Sequence, residues 1–168
     1  MYSNENINRY SMEIMEKTIK FLGKFISLMI PIMTILMILI IVARYFFGIG
    51  LTGLQELVMY IHALVFLGCA GYVHYKDEHV RVDIFYRKSS KEYKRKVNFI
   101  LSFLFLIPIC FVIAYYSFDL IEMAWRIREI STEPGGLKFV YVQKTLILLL
   151  PVTLFITLVF QFIKYKWK

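Results

Sequence analysis

Residues 25–43 read FISLMIPIMTILMILIIVA and contain no Asp, Glu, Lys or Arg. About 20 consecutive apolar residues are enough for a helix to cross the hydrocarbon core of a bilayer. Three further stretches lack the same four residue types: 57–73, 97–118 and 145–163. A buried core helix would explain one such stretch, but four of them leave too little polar sequence to surround a soluble core. The chain is therefore predicted to be a membrane protein.

The predicted fold is all-α, a single four-helix transmembrane domain over residues 1–168. A further amphipathic helix is expected over 13–24, because apolar residues share one of its faces. Such a helix either lies flat among the lipid headgroups or extends the first span. With their flanking turns, the four spans are expected at about residues 25–46, 55–73, 91–122 and 142–163.

Local signals refine this outline. Ser89, followed three residues later by Glu92, fits a capping box and predicts the start of the third helix. Pro31, Pro108 and Pro151 fall inside spans. Each is expected to kink its helix, because proline removes a backbone donor.

The distribution of charge predicts the orientation. The net charge is +8, and 15 of the 20 Lys and Arg residues lie in the N-terminal segment, the 74–96 connection and the C-terminus. By the positive-inside rule these segments face the cytoplasm, so both ends are predicted inside. The basic residues lie at membrane edges, where they contact membrane lipids, and give no reason to expect nucleic acid as a partner.

Chemistry-bearing residues are scarce at membrane depth. His62 is the only Asp, Glu, Lys, Arg or His within the four apolar stretches, and a single His more often bonds a neighbouring helix than relays protons. Cys69 and Cys110 lie inside apolar stretches and resemble buried hydrophobic residues. No cofactor, metal site or enzymatic activity is predicted.

Polar residues flank the spans on the predicted outer side. Arg44 ends the first span and Glu56 begins the second, so a short turn allows them to meet. The pair is interpreted as a local ion pair, with an interface to a partner protein as the alternative. Trp125 and Arg126 leave the third span, and Trp125 is suited to anchoring at the interface.

The stretch from 44 to 83 resembles the small membrane subunit of tripartite ATP-independent periplasmic (TRAP) transporters, the DctQ-like family. The features that carry the resemblance are RYFF at 44–47, QEL at 55–57, Gly68 within the second span, and HVRVD at 79–83. The sequence departs from the family pattern at Gln55, because an acidic residue is missing from the usual pair there.

The resemblance implies a non-catalytic scaffold in the bacterial inner membrane, part of a sodium-coupled uptake system for organic acids such as sialic acid or C4-dicarboxylates. Its implied partners are a large membrane transport subunit and a periplasmic substrate-binding protein. Arg44, Gln55, Glu56, Trp125 and Arg126 are then candidate interface or structural residues. A further set is expected to order the inner loop: His79, Arg81 and Asp83.

Two other functions stay open at this point. A haem-bearing anchor of a respiratory complex would need His ligands at membrane depth, and only His62 lies there. A stand-alone four-span transporter would need an acidic residue within a span, and Glu56 lies at an edge. An absorbance scan and an uptake assay of the chain alone distinguish these two functions from the scaffold.

Overall fold

The computed structural model describes residues 4–78 and 90–166. Its described residues are almost entirely helical and contain no strand. The third and fourth spans are each built from successive segments of different helix type. The elements are α1 (Asn4–Ser27), α2 (Met29–Phe47), α3 (Thr52–Lys76), α4 (Lys91–Leu101), a π-helical segment (Ser102–Leu106), α5 (Ile107–Arg126), α6 (Val140–Thr145), a 3₁₀ segment (Leu146–Leu148) and α7 (Leu149–Lys166).

Four helical runs within the described residues are long and apolar enough to cross a membrane: Met12–Phe47, Thr52–Lys76, Glu92–Arg126 and Val140–Ile163. Each contains one of the apolar stretches read from the sequence. The all-helical class and the four spans are thereby confirmed.

The four spans form a row rather than a closed bundle. The main contacts run from α2 to α3, from α3 to α7, and from α7 to α5. Because α3 and α7 lie in the middle, α2 and α5 form the two edges. Residues 48–51 and 127–139 lie on one side of the row, which we call the loop end. On the opposite side α3 and α7 end and α4 begins, and we call this side the basic end.

The central pair packs with its backbones in close contact. A Cβ on Gly71 of α3 would lie 2.3 Å from the carbonyl oxygen of Thr153 on α7, so only glycine fits. Thr157, which is fully buried, donates a hydrogen bond of 3.0 Å to the Gly71 carbonyl. Lipid tails are as apolar as the side chains, so close packing and interhelical hydrogen bonds hold such helices together.

Helix α1 packs against this pair at the basic end. The ring of Tyr72 lies over Gly23, where a Cβ would be 2.3 Å from the ring carbon. Nearby, Tyr75 donates a hydrogen bond of 2.7 Å to the Glu16 carboxylate, which also pairs with Lys20. Helix α1 continues toward α2 with a single break at Leu28. The arrangement favours α1 as an extension of the first span.

Each proline within a span follows an irregular helical segment. Pro31 follows the break at Leu28, Pro108 follows the π-helical segment, and Pro151 follows the 3₁₀ segment. Proline cannot donate to the carbonyl four residues earlier and its ring clashes there. The irregular segments relieve that clash. The kink expected at each proline stays a prediction.

The start of the third helix differs by one residue from the prediction. The N-cap is Ser90, whose hydroxyl accepts a hydrogen bond of 3.2 Å from the Tyr93 N–H. The capping box assigned this role to Ser89, which lies outside the described residues. Glu92 instead pairs with Lys96 one turn later, at 3.1 Å.

We expect Gly71→Ala to lower the free energy of unfolding by about 1–3 kcal/mol, the usual cost of inserting a methyl group into a filled space. Gly50→Ala is the matched control, because a Cβ on Gly50 would have nothing within 4 Å and Gly50 has no positive φ. Thermal unfolding of both variants in mild detergent measures the difference. Equal midpoints would contradict the backbone contact between α3 and α7.

Candidate functional site

Glu56 holds the connection between the third and fourth spans. It lies in the first turns of α3 at the loop end, and its carboxylate accepts two hydrogen bonds from that connection. One comes from the Ser131 hydroxyl and the other, at 2.6 Å, from the Leu137 N–H. Hydrogen bonds to a charged acceptor are roughly twice as strong as neutral ones. We call Glu56, Ser131 and Leu137 the loop-end clamp.

The clamped connection is itself a compact turn. The Ser131 N–H donates to the Leu137 carbonyl at 3.0 Å, which closes the turn at its base. The Ser131 hydroxyl accepts from the Glu133 N–H at 3.1 Å, and the Gly136 N–H donates to the Glu133 carbonyl. Gly135 has φ of +77°, a conformation that glycine adopts without strain. One carboxylate therefore anchors a preformed turn.

Glycines let this turn approach α3 closely. A Cβ on Gly53 would lie 2.9 Å from the Gly135 carbonyl oxygen. A Cβ on Gly136 would lie 2.8 Å from the Glu56 carboxylate and closer still to the Ser131 hydroxyl. Both positions need the absence of a side chain, and this need explains Gly53 of the GIGLTG segment and Gly136 of the PGG segment.

A second set of contacts fastens both sides of the connection. Glu129 and Lys144 form an ion pair, with each side chain 28% exposed. The Trp125 indole N–H donates to the Thr145 hydroxyl at 2.9 Å, and its ring packs edge-on against Tyr141 at 4.7 Å. Trp125 thus joins the end of α5 to α6.

The structure does not join Arg44 to Glu56, so the interpretation as a local ion pair is wrong. The reason is that Glu56 lies close to the turn at 131–137, whose donors occupy its carboxylate. Arg44 is exposed and belongs to none of the ion pairs found among residues 4–78 and 90–166. The residues after it, Tyr45 and Phe46, are 81% exposed.

The other candidates contribute less to the loop end. Gln55 is half-buried, and its N–H donates to the Leu51 carbonyl at 3.0 Å. Arg126 forms an exposed ion pair of 2.7 Å with Glu122, one turn earlier on the same helix. Pairs of this kind contribute little to stability. The candidates for the inner loop lie outside the described residues: His79, Arg81 and Asp83.

Sequence reasoning missed most partners of the clamp. The sequence does not predict Ser131 and Leu137 as partners, because neither residue type indicates a contact with a carboxylate 75 or 81 residues away.

Two further residues of α3 have no role in the clamp. Tyr60, one turn beyond Glu56, has a buried hydroxyl with no partner in the described part of the chain, and nothing in the structure explains it. His62 is exposed and stacks on Phe66 with a ring separation of 6.4 Å.

The contacts of the site hold the turn at 131–137 against the start of α3. Its carboxylates are engaged by hydrogen bonds and by a lysine. The described residues contain no cluster of three or more His, Cys, Asp or Glu that could hold a metal ion. The geometry at the loop end therefore defines a rigid, polar, solvent-facing turn on an otherwise apolar row of helices.

Comparison with known families agrees with this picture. The family model of the DctQ component of tripartite ATP-independent periplasmic transporters matches residues 24–165. The chain belongs to this family, and it is a small membrane subunit of a TRAP transporter. The match also extends the resemblance seen at 44–83 across both later spans. No curated protein and no solved structure matches the chain.

We expect Glu56→Gln to free the turn at 131–137. The amide is neutral and only one of its two terminal atoms is an acceptor, so the pair of charge-assisted hydrogen bonds from Ser131 and Leu137 is lost. Losing a hydrogen bond to a charged acceptor costs about 1.5–3 kcal/mol, which predicts roughly tenfold to hundredfold faster amide exchange at Leu137. Hydrogen exchange read by mass spectrometry on peptides covering 131–137 measures this rate.

Glu122→Gln is the matched control for this experiment. It removes a carboxylate of the same kind from an exposed pair on α5, and exchange at 131–137 should stay at the wild-type rate. If the two variants exchange alike at Leu137, the clamp does not order the turn.

Proposed function

We propose that this chain is the non-catalytic scaffold of its transporter: it binds the large transport subunit within the membrane and helps to dock the periplasmic substrate-binding protein. Membership of the DctQ family carries the proposal. The family name describes a periplasmic transporter of three components, and the two proposed partners are the other two components.

The edges of the helix row support a binding role within the membrane. Helix α2 packs mainly on α3, so most of its large apolar residues stay exposed, among them Ile35 and Ile38 at more than half of their surface. Helix α5 packs mainly on α7 and likewise exposes Phe111 and Tyr115. A large membrane subunit can cover one such face while lipid covers the other.

The loop-end clamp supports the docking role. A partner that meets an already ordered turn does not have to order it, so less of the binding free energy is lost on association. The tip of the turn is polar, and its residues Thr132 and Glu133 are both exposed. Arg44, near the end of α2, also lies at the loop end and is exposed.

The solute is proposed to be an organic acid, such as sialic acid or a C4-dicarboxylate, taken up with sodium. An anion that crosses the membrane needs paired charges or hydrogen-bond donors at membrane depth. The apolar stretches of the four spans contain no Asp, Glu, Lys or Arg that could supply such a binding site. Recognition of the acid and of sodium is therefore assigned to the other subunits. The haem-anchor and stand-alone-transporter alternatives gain no support from the family.

Purification of the tagged chain from its native host in mild detergent tests the scaffold. We expect one large membrane protein with many spans at about equal stoichiometry, because the family to which the chain belongs is one component of a tripartite transporter. A colourless chain that copurifies with no large membrane protein would contradict the proposal. So would haem or flavin subunits in its place.

The same complex tests the docking role. Binding of the periplasmic protein should be about threefold to tenfold weaker with Glu56→Gln, since the freed turn must be ordered on association. The large subunit should copurify unchanged. Glu122→Gln again serves as the control.

The proposed location is the bacterial inner membrane, with both termini and the basic end in the cytoplasm. Single cysteines at Glu133 and at Glu92, in a chain whose Cys69 and Cys110 are replaced by alanine, test this orientation. A membrane-impermeant maleimide added to cells with a permeabilised outer membrane should label Glu133→Cys only. Labelling of Glu92→Cys alone would reverse the orientation.

A further inference from the structure

An open cleft of about 910 Å³ lies near the basic end. Its walls are α3, α7 and the third span, which is made of α4, the π-helical segment and α5. The lining residues fall within 65–77, 97–109 and 150–161. On each of the first two walls they recur at one-turn spacing, so each wall presents one continuous face. Among the main helix contacts of the described chain, none joins α3 to α4, so the space between these two helices is open.

The depth of the cleft matches one leaflet. Its two long walls each cover 12 residue steps, which is about 18 Å at 1.5 Å per residue. Half of the hydrocarbon core is about 15 Å thick. A transmembrane helix from another protein would need a groove through the whole core, so the length favours an occupant that belongs to one leaflet.

The cleft is polar at its mouth and apolar further in. The mouth at the basic end is lined by His74 of α3, Asp77 just after α3, Asn98 of α4 and Gln161 of α7. The deeper walls consist mainly of Val, Leu, Ile and Phe side chains. This gradient runs along the span direction and matches a molecule with a polar head at the membrane surface and an apolar tail in the core.

We propose that the cleft binds one diacyl phospholipid from the leaflet at the basic end. Its acyl chains fill the apolar walls between α3 and the third span, and its headgroup lies at the polar mouth. Water is a poor occupant of an apolar space, and an empty one would forfeit the dispersion contacts of its lining. The inference does not depend on the transport role.

Native mass spectrometry of the full chain in mild detergent tests the proposal. Val73→Trp and Val97→Trp fill the cleft from opposite walls. Val112→Trp is the matched control, because Val112 is 54% exposed on α5 and lies outside the cleft. The wild type and the control should each retain one phospholipid. The two cleft variants should bind the phospholipid about tenfold more weakly, a loss of about 1.4 kcal/mol in binding free energy.

A phospholipid with a photoreactive group in its acyl chain locates the site. Adducts should fall on the walls at 65–77 and 97–109, and should disappear in the two cleft variants while helicity by circular dichroism is kept. Equal lipid loss in Val112→Trp would overturn the proposal, as would adducts confined to other surfaces. Crosslinks from these walls to the large subunit in the purified complex, with no lipid adduct, would make the cleft a protein interface instead.

Discussion

The backbone contact between α3 and α7 at Gly71 is the constraint on which the rest of the packing depends. Inside a bilayer the solvent is as apolar as the side chains, so burial alone gives helices little reason to associate. At Gly71 the two helices come close enough for Thr157 to donate to a carbonyl on the neighbouring helix. Helix α1 then packs against this pair through a second glycine, Gly23. Small residues thus decide which helices are neighbours.

The two ends of the molecule are held by different forces. At the basic end, close packing among α1, α3 and α7 is reinforced by a few interhelical hydrogen bonds. At the loop end the connection 127–139 leaves Ile127, Ile130 and Phe139 more than half exposed, and Glu56 holds it by charge-assisted hydrogen bonds. The apolar edges of the row and the cleft near α4 are what remains uncovered between these two regions. They are the surfaces proposed to bind partners and lipid.

The sequence predicts the spans well, because crossing a bilayer demands a run of apolar residues that can be counted. The helix order and the partner of Glu56 depend on contacts between residues far apart in the chain. Arg44 was the nearest opposite charge along the sequence, yet Ser131 and Leu137 reach the carboxylate from 75 and 81 positions away. Hydropathy predicts that a helix inserts into the membrane, but it does not predict which helix packs beside it.

Thr157 and the Gly71 carbonyl are 86 residues apart, and this distance sets an order of assembly during synthesis. Chains emerge from the ribosome with the N-terminus first. The first two spans therefore enter the membrane together with α1, and α3 waits there with its glycine face uncovered until α7 is made. A product cut short before α7 would keep three apolar helices and lack the centre of the row. Completion of the fourth span is thus the event that turns a set of inserted helices into a folded subunit.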